Sequence, residues 1–425
     1  MTAATARPGA QPKGISGITA PAAPTPSRLA ARRLVLTDFR NYQSLRLHAA
    51  ADLMVLNGAN GAGKTNLLEA LSLLAPGRGL RRARLADMQR HGAATPWAVA
   101  ATLETPAGTV EVGSGLAAMP APTPQPEPQL GSESEPRTPR DRRLIRIDGK
   151  TAASAGSLAE VASLVWLTPQ MDRLFIEGAA PRRRFLDRLV YGLDSQHAGR
   201  VSAFERALRE RSRLLRRGNG GQTNSAWLTA LEETMADFGV AVAVARRDAV
   251  ARLNGAMTAA GPFPSARLEI KGSLETWLED QPALAVEERF RGQLEAGRRR
   301  DGESGGAALG PHRSDLLVSD TERELAAADC STGEQKALLI AIVLADARLQ
   351  VARQGRPPIM LLDEIAAHLD AERRAALFDE IQALGAQAWL SGSDAGLFAA
   401  LAGRAQFCQV EGGQLVSAPA CGENA

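Results

Sequence analysis

The sequence is poor in cysteine, lysine and aromatic residues, and it has no long apolar run. Its three cysteines, Cys330, Cys408 and Cys421, lie far apart and are odd in number. That excludes a disulfide framework and a cysteine metal cluster, and it implies a reducing, cytoplasmic setting. No basic stretch followed by an apolar core opens the chain, so no signal peptide is expected. The longest fully apolar run, Ala337 to Ala345, has nine residues. A helix that spans a bilayer needs about 20, so no membrane partner is expected. Aromatics make up 4% of the chain, too few for a platform that stacks the bases of single-stranded nucleic acid. Of 50 basic residues five are lysine, at positions 13, 64, 150, 271 and 336, and the net charge is +3. Contact with nucleic acid therefore requires a local basic patch rather than a charged molecule overall. At 425 residues and 44% hydrophobic, the chain can build two or three domains with a sizeable core.

What is present begins with Leu53 to Leu74. An apolar run, Leu53 to Leu56, reads as a strand, and Asn66 to Leu74 reads as a helix with Leu67, Leu71 and Leu74 on one face. Between them lies Gly58-Ala59-Asn60-Gly61-Ala62-Gly63-Lys64-Thr65, the G-x-x-x-x-G-K-[ST] phosphate loop. Its glycines let the backbone wrap a polyphosphate, with amide N–H groups and the helix N-terminus turned toward the anion. Lys64 is expected to bridge the β- and γ-phosphates of ATP, and Thr65 to hold Mg²⁺.

Upstream, residues 1–28 read as a disordered tail. Arg33 to Thr37 and the alternating Leu45 and Leu47 read as a β-hairpin. The loop over 78–90 carries Arg78, Arg81, Arg82, Arg84 and Arg90; a solvated loop and a ligand contact fit it equally. Short strands follow at Val99–Leu103, Thr109–Val112 and Leu144–Ile147, interrupted by a proline-rich insertion at 119–142 that reads as disordered. From Leu174 to Leu309 the pattern is helical. Leu228, Leu231, Met235, Phe238, Val242, Ala245, Ala249 and Leu253 step by three or four residues, a helix of about 30 residues and roughly 45 Å. The glycine break at 218–221 makes it one arm of an antiparallel hairpin, and 297–308 reads as a Gly- and Arg-rich loop. From Gly310 the α/β character returns. The fold class is α/β: a P-loop ATPase lobe, split into 29–173 and 310–418, with a mostly α-helical lobe inserted at 174–309 and a tail at 419–425.

Two later segments narrow the chemistry. Ile359-Met-Leu-Leu-Asp363-Glu364 is an apolar strand ending in carboxylates, the Walker B arrangement. Asp363 is expected to reach Mg²⁺, and Glu364 to polarise the water that attacks the γ-phosphate. Cys330-Ser331-Thr332-Gly333-Glu334-Gln335-Lys336, 32 residues before Asp363 as counted between Ser331 and Asp363, resembles the signature of ABC-type ATPases. Ser331 and Gly333 are candidates for a second anion-binding surface, and Ser331-x-x-Glu334 also fits a helix capping box. Asp370 stands where a D-loop residue would cross a dimer interface. Gln170, in Thr168-Pro-Gln-Met-Asp172, is a candidate Q-loop residue. The segment Trp389-Leu-Ser-Gly-Ser-Asp394 carries no switch histidine.

Lys64 and Asp363 are 299 residues apart. With Asp38-Phe39-Arg40-Asn41-Tyr42, Gly77-Arg78-Gly79, Pro181 to Asp187 and Gly310 to Leu316, this layout resembles the RecF family from about residue 30 onward. The resemblance implies an ATP-dependent homodimer that binds duplex, single-stranded and gapped DNA, hydrolyses ATP slowly, and acts with the mediators RecR and RecO in recombinational repair. Arg182 to Arg184, or Arg209, Arg211, Arg213, Arg216 and Arg217, are candidates for phosphate contacts. Two other readings compete: an energy-coupling ABC ATPase subunit, which would have tight Walker spacing, and a scaffold that binds ATP without hydrolysing it.

Overall fold

The computed structural model describes residues 28–117, 142–217, 225–257 and 262–417. The tails at 1–27 and 419–425, the insertion from 119 to 141 and the glycine break at 218–221 lie outside the described residues.

A central six-stranded sheet is built from both ends of the chain. Its order is Gln414–Ser417, Gln406–Glu411, Leu53–Asn57, Ala388–Gly392, Ile359–Leu362 and Leu164–Leu167. Every pairing is parallel except that of the first two strands. The runs Leu-Met-Val-Leu, Ile-Met-Leu-Leu and Leu-Val-Trp-Leu are buried throughout, as a parallel sheet covered on both faces requires. A second six-stranded sheet is antiparallel: Tyr42–His48, Ala30–Phe39, Ala98–Thr105, Gly108–Leu116, Arg143–Ile147 and Lys150–Thr151. The phosphate-loop helix, Lys64–Ser72, joins the two sheets. Its Leu67, Leu68 and Leu71 share one apolar cluster with Leu34 and Leu36 of the antiparallel sheet and with Met54, Leu56 and Trp389 of the central sheet. Gln387 stitches the same junction, accepting from the Ala31 N–H at 2.7 Å and donating to the Ala31 carbonyl at 3.1 Å.

The inserted segment contains helices Ala179–Leu193, His197–Arg217 and Ser225–Ala256. The last two are antiparallel: Arg211 meets Glu232, while Phe204 lies in one cluster with Ala236 and Val240. On the 32-residue helix Leu228, Met235, Val242, Ala249 and Leu253 are buried, as their spacing implies. So are Glu232 and Arg246, because each has an ionic partner inside. Arg211 bonds Glu232 and Asp301 at 2.9 Å each, and Arg246 holds Asp187 through two bonds of 2.8 and 2.9 Å.

Two local expectations fail. Arg298–Ser304 is a helix, not a loop; the buried Asp301–Arg211 pair overrides the poor helix propensity of Gly302. Ala266–Lys271, inside the stretch read as helical, is a strand paired antiparallel along its whole length with Asp315–Asp320. Its alternation is short, Ala266 and Leu268 in and Arg267 and Glu269 out, and too brief to stand out among long helices. Among the described residues no helix is long and apolar enough to cross a membrane.

Candidate functional site

Register in the central sheet decides which loops meet. Leu53–Asn57 runs beside Ala388–Gly392, which runs beside Ile359–Leu362, which runs beside Leu164–Leu167. The segments after these four parallel strands therefore emerge at one edge, the usual place for a ligand on such a sheet. They carry Gly58 to Thr65, Asp363 with Glu364, and Gln170, and Ser391 lies near the same end of its own strand.

The phosphate loop has three glycines at positive φ: Gly58 at 151°, Gly61 at 82° and Gly63 at 121°. Gly58 and Gly63 also lack room for a side chain. A Cβ on Gly58 would lie 2.3 Å from the Val410 carbonyl oxygen, and one on Gly63 would lie 2.6 Å from both Asn41 Nδ2 and Tyr42 Oη. These neighbours hold the loop. Asn41 Nδ2 donates to the Ala62 carbonyl at 2.9 Å, the Gly413 N–H to the same carbonyl at 3.1 Å, and Tyr42 Oη to the Gly63 carbonyl at 3.1 Å. Arg40 grips Glu69 of the following helix through two bonds of 2.8 Å. The Asp-Phe-Arg-Asn-Tyr segment is thus the loop's outer brace.

Lys64 is 4% exposed, and its Nζ donates to the Gly58 and Ala59 carbonyls at 2.7 and 3.1 Å. It also lies 3.5 Å from Glu364 Oε1. Thr65 Oγ1 donates to Asp363 Oδ1 at 2.9 Å. Residues from opposite ends of the sequence thereby form one cluster. Ser391, which sequence reasoning did not single out, completes it. Its buried hydroxyl donates to Asp363 Oδ1 at 2.6 Å and accepts from the Glu364 N–H at 3.0 Å. Glu364 sits in the left-handed region, φ 50°, uncommon for a residue with a side chain and typical of held functional positions. The signal for Ser391 was the polar residue closing a buried strand next to Walker B.

The donor set suits a magnesium nucleotide. Thr65 Oγ1 and Asp363 Oδ1 are hard oxygens side by side, and Gly61 faces open space. Lys64 is turned onto its own loop's carbonyls, which a phosphate can replace as partners.

The signature residues stand apart from this cluster. Ser331 caps helix Thr332–Gln354 in a full capping box: its Oγ accepts from the Glu334 N–H at 3.4 Å, while its own N–H donates to Glu334 Oε2 at 2.8 Å. Ser331 is exposed, and a Cβ on Gly333 would meet nothing within 4 Å. Gln335 turns inward and donates to the Cys330 carbonyl at 2.8 Å. Lys336, buried, pairs with Asp172 at 3.4 Å, and its desolvation, only partly countered by Asp172 and Glu364, lowers its pKa. Asp370 caps helix Ala371–Ala383 from an exposed position, accepting from the Arg373 N–H at 2.7 Å. Gln170 is exposed, in the turn Pro169–Arg173.

Two arginines read as phosphate contacts are structural. Arg182 is committed to Asp315 through two bonds of 2.8 Å. Arg211 is fully buried between Glu232 and Asp301. Spacing on a helix cannot separate an exposed arginine from one with an acid waiting inside.

A family model described as "RecF/RecN/SMC N terminal domain" matches residues 30–400. The DNA replication and repair protein RecF of Mesorhizobium japonicum is 48% identical over 392 residues, covering 91% of this chain and 98% of its own. That of Rhizobium rhizogenes is 46% identical over 391 residues, again covering 91% and 98%. Among solved structures, the recombination mediator protein RecF with ATP, of the RecFOR pathway, superposes with a TM-score of 0.74 at 17% identity, covering 92% of this chain and 98% of that one. The fold agrees with that structure, and the sequence agreement runs through the phosphate loop, the helical insert and Walker B alike: the chain belongs to the RecF family.

Proposed function

We propose that this protein is an ATP-gated DNA-binding dimer of recombinational repair and replication-fork maintenance, working in the cytoplasm. The observation that carries the reading is the split character of the site. Lys64, Thr65, Asp363 and Glu364 converge within one chain, while Ser331 is exposed and half-buried Gly333 has open space where a side chain would stand, neither turned to a partner of its own chain beyond the helix cap.

ATP would lie along Gly58 to Thr65, its β- and γ-phosphates replacing the loop carbonyls as partners of Lys64. Thr65 and Asp363 would hold Mg²⁺, which neutralises charge on the phosphates. Ser331 and Gly333 of a second copy would close over the γ-phosphate, with Asp370 crossing the interface and Gln170 facing the same phosphate. Glu364 would accept the proton of the attacking water as it adds to phosphorus and the bond to ADP breaks. Loss of the γ-phosphate removes the bridge and opens the dimer, so slow hydrolysis acts as a timer. RecR and RecO are the expected mediators, and single-strand gaps the expected place of action. The reading of a transport subunit fits poorly with 299 residues between Lys64 and Asp363.

The test uses mixed copies. Glu364→Gln should accumulate as an ATP-bound dimer on size exclusion. A Lys64→Ala copy and a Ser331→Arg copy should each fail to dimerise alone and pair when mixed, since the mixture keeps one intact pocket. Failure of the mixture to pair, with each copy folded, rejects the composite site. Unchanged behaviour of Glu364→Gln favours the non-hydrolysing scaffold.

A further inference from the structure

Helix His197–Arg217 buries one face and arms the other. Phe204, Ala207, Arg211 and Leu215 are buried, while Arg206, Arg209, Arg213 and Arg216 are exposed. At 3.6 residues per turn the four exposed arginines fall within an arc of about 80° and span about 15 Å. They form one wall of a cavity of about 680 Å³, with His312 and Arg313 opposite. A second hollow of about 230 Å³ also reaches His312 and is lined by Arg82, Arg183 and Arg184. The loop after the phosphate-loop helix, the helical insert and the Gly310 segment thus bring nine arginines to one trough, the buried Arg246 included.

The acids nearby are few and engaged. Glu205 pairs with Arg209, Glu210 with Arg213, and Asp187 is held by Arg246 and His197. Arg82, Arg184 and Arg206 make no hydrogen bond or ion pair among the described residues. Arg82 adopts a left-handed backbone, φ 57°, and its pKa is lowered first by desolvation, then by Arg184 and Arg78. A fold that gathers like charges from distant segments, and strains one backbone to do so, is complementary to an anion. Phe204 is the one aromatic in the lining, and it is buried. There is no surface for stacking unpaired bases, so the partner is read through its phosphates. A duplex presents about one charge per 1.7 Å of its axis, about nine over the length of the arginine stripe.

We propose that this trough is the duplex-DNA site of the protein, with the phosphate backbone along Arg206, Arg209, Arg213 and Arg216 and onward past His312 to Arg82 and Arg184. It rests on the DNA-binding reading above and adds the face and the class of DNA. The experiment is a fluorescence-anisotropy titration of the full chain with ATP, using a fluorescein-labelled duplex in two unrelated sequences, between about 50 and 200 mM KCl. Neutralising Arg206, Arg209 and Arg216 to Gln should weaken both duplexes equally and flatten the log–log salt slope by about one per arginine. The same three changed to Lys should restore the slope, and Arg299→Gln, outside the trough, should leave it intact. ATP-induced dimerisation of the triple Gln variant should match the wild type, which separates lost binding from misfolding. A triple variant with wild-type affinity and slope overturns the trough and leaves the ATP-gated binding of the wild type standing. A loss confined to a single-stranded probe overturns the duplex assignment. A wild-type protein that binds no duplex in any nucleotide state overturns both readings.

Discussion

Removing the Ser391 hydroxyl tests the internal wiring of the site. Ser391→Ala deletes a bond of 2.6 Å to Asp363 and frees the Glu364 N–H from its 3.0 Å acceptor. A hydrogen bond to a charged group contributes about 1.5–3 kcal/mol net, and one to an amide about 1 kcal/mol. The amide bond also helps hold Glu364 at φ 50°, where a residue with a side chain stores about 1–3 kcal/mol. Without it, Glu364 relaxes toward ordinary backbone and its carboxylate leaves its place beside Lys64. If about 2 kcal/mol of this falls on the transition state, ATP turnover drops about 30-fold. The assay is steady-state hydrolysis with duplex DNA present, beside nucleotide affinity from a fluorescent ATP analogue. Affinity should change little, because Lys64 and the loop glycines are untouched. Ser391→Thr keeps the hydroxyl and should retain most of the rate. A folded Ser391→Ala that turns over ATP at the wild-type rate refutes the reasoning.

Other outcomes follow from particular contacts. Gly63→Ala should abolish detectable binding of the ATP analogue, because its Cβ would press on Asn41 and Tyr42 at 2.6 Å, whereas Gly61→Ala, with open space around it, should weaken binding less. Arg211→Ala leaves Asp301 and, in part, Glu232 buried without their partner and should cost about 3–5 kcal/mol in a urea titration; Arg299→Ala, on the surface, should cost almost nothing. Burial pushes the Asp346 carboxyl up to about 7, against the weaker opposing effects of Gln350 and Arg188. The folded protein therefore holds this proton where the unfolded chain has lost it, and stability falls as pH rises from about 4 to about 7. Asp346→Asn should melt higher than the wild type near pH 8, by up to about 4 kcal/mol, with the gap closing toward pH 4 in thermal scans.

The loop–helix unit at Gly58–Thr65, the apolar strand leading into Asp363 and Glu364, and the capping box at Ser331 were legible in the sequence because their signals are local. A glycine at fixed offsets, a lysine before a hydroxyl and an apolar run ending in acids each carry meaning within a few residues. The long helix was legible because its apolar spacing repeats from Leu228 to Leu253, over about seven turns. The strand Ala266–Lys271 was not, since its pairing partner lies beyond three helices and its alternation covers three turns of the pleat at most.

Residue order and type determined that the chain carries a phosphate loop, a carboxylate pair and an arginine-rich helix, because backbone freedom, charge and periodicity are properties of short segments. Tertiary packing alone decided that Ser391 anchors both Walker B residues, that Arg182 and Arg211 are spent on internal acids, and that Arg82 meets Arg184 across the trough. The reason is physical: what a polar side chain can do depends on which partners the fold leaves within about 3 Å of it, and those partners come from other segments of the chain, 27 residues away for Ser391 and Glu364 and 133 for Arg182 and Asp315.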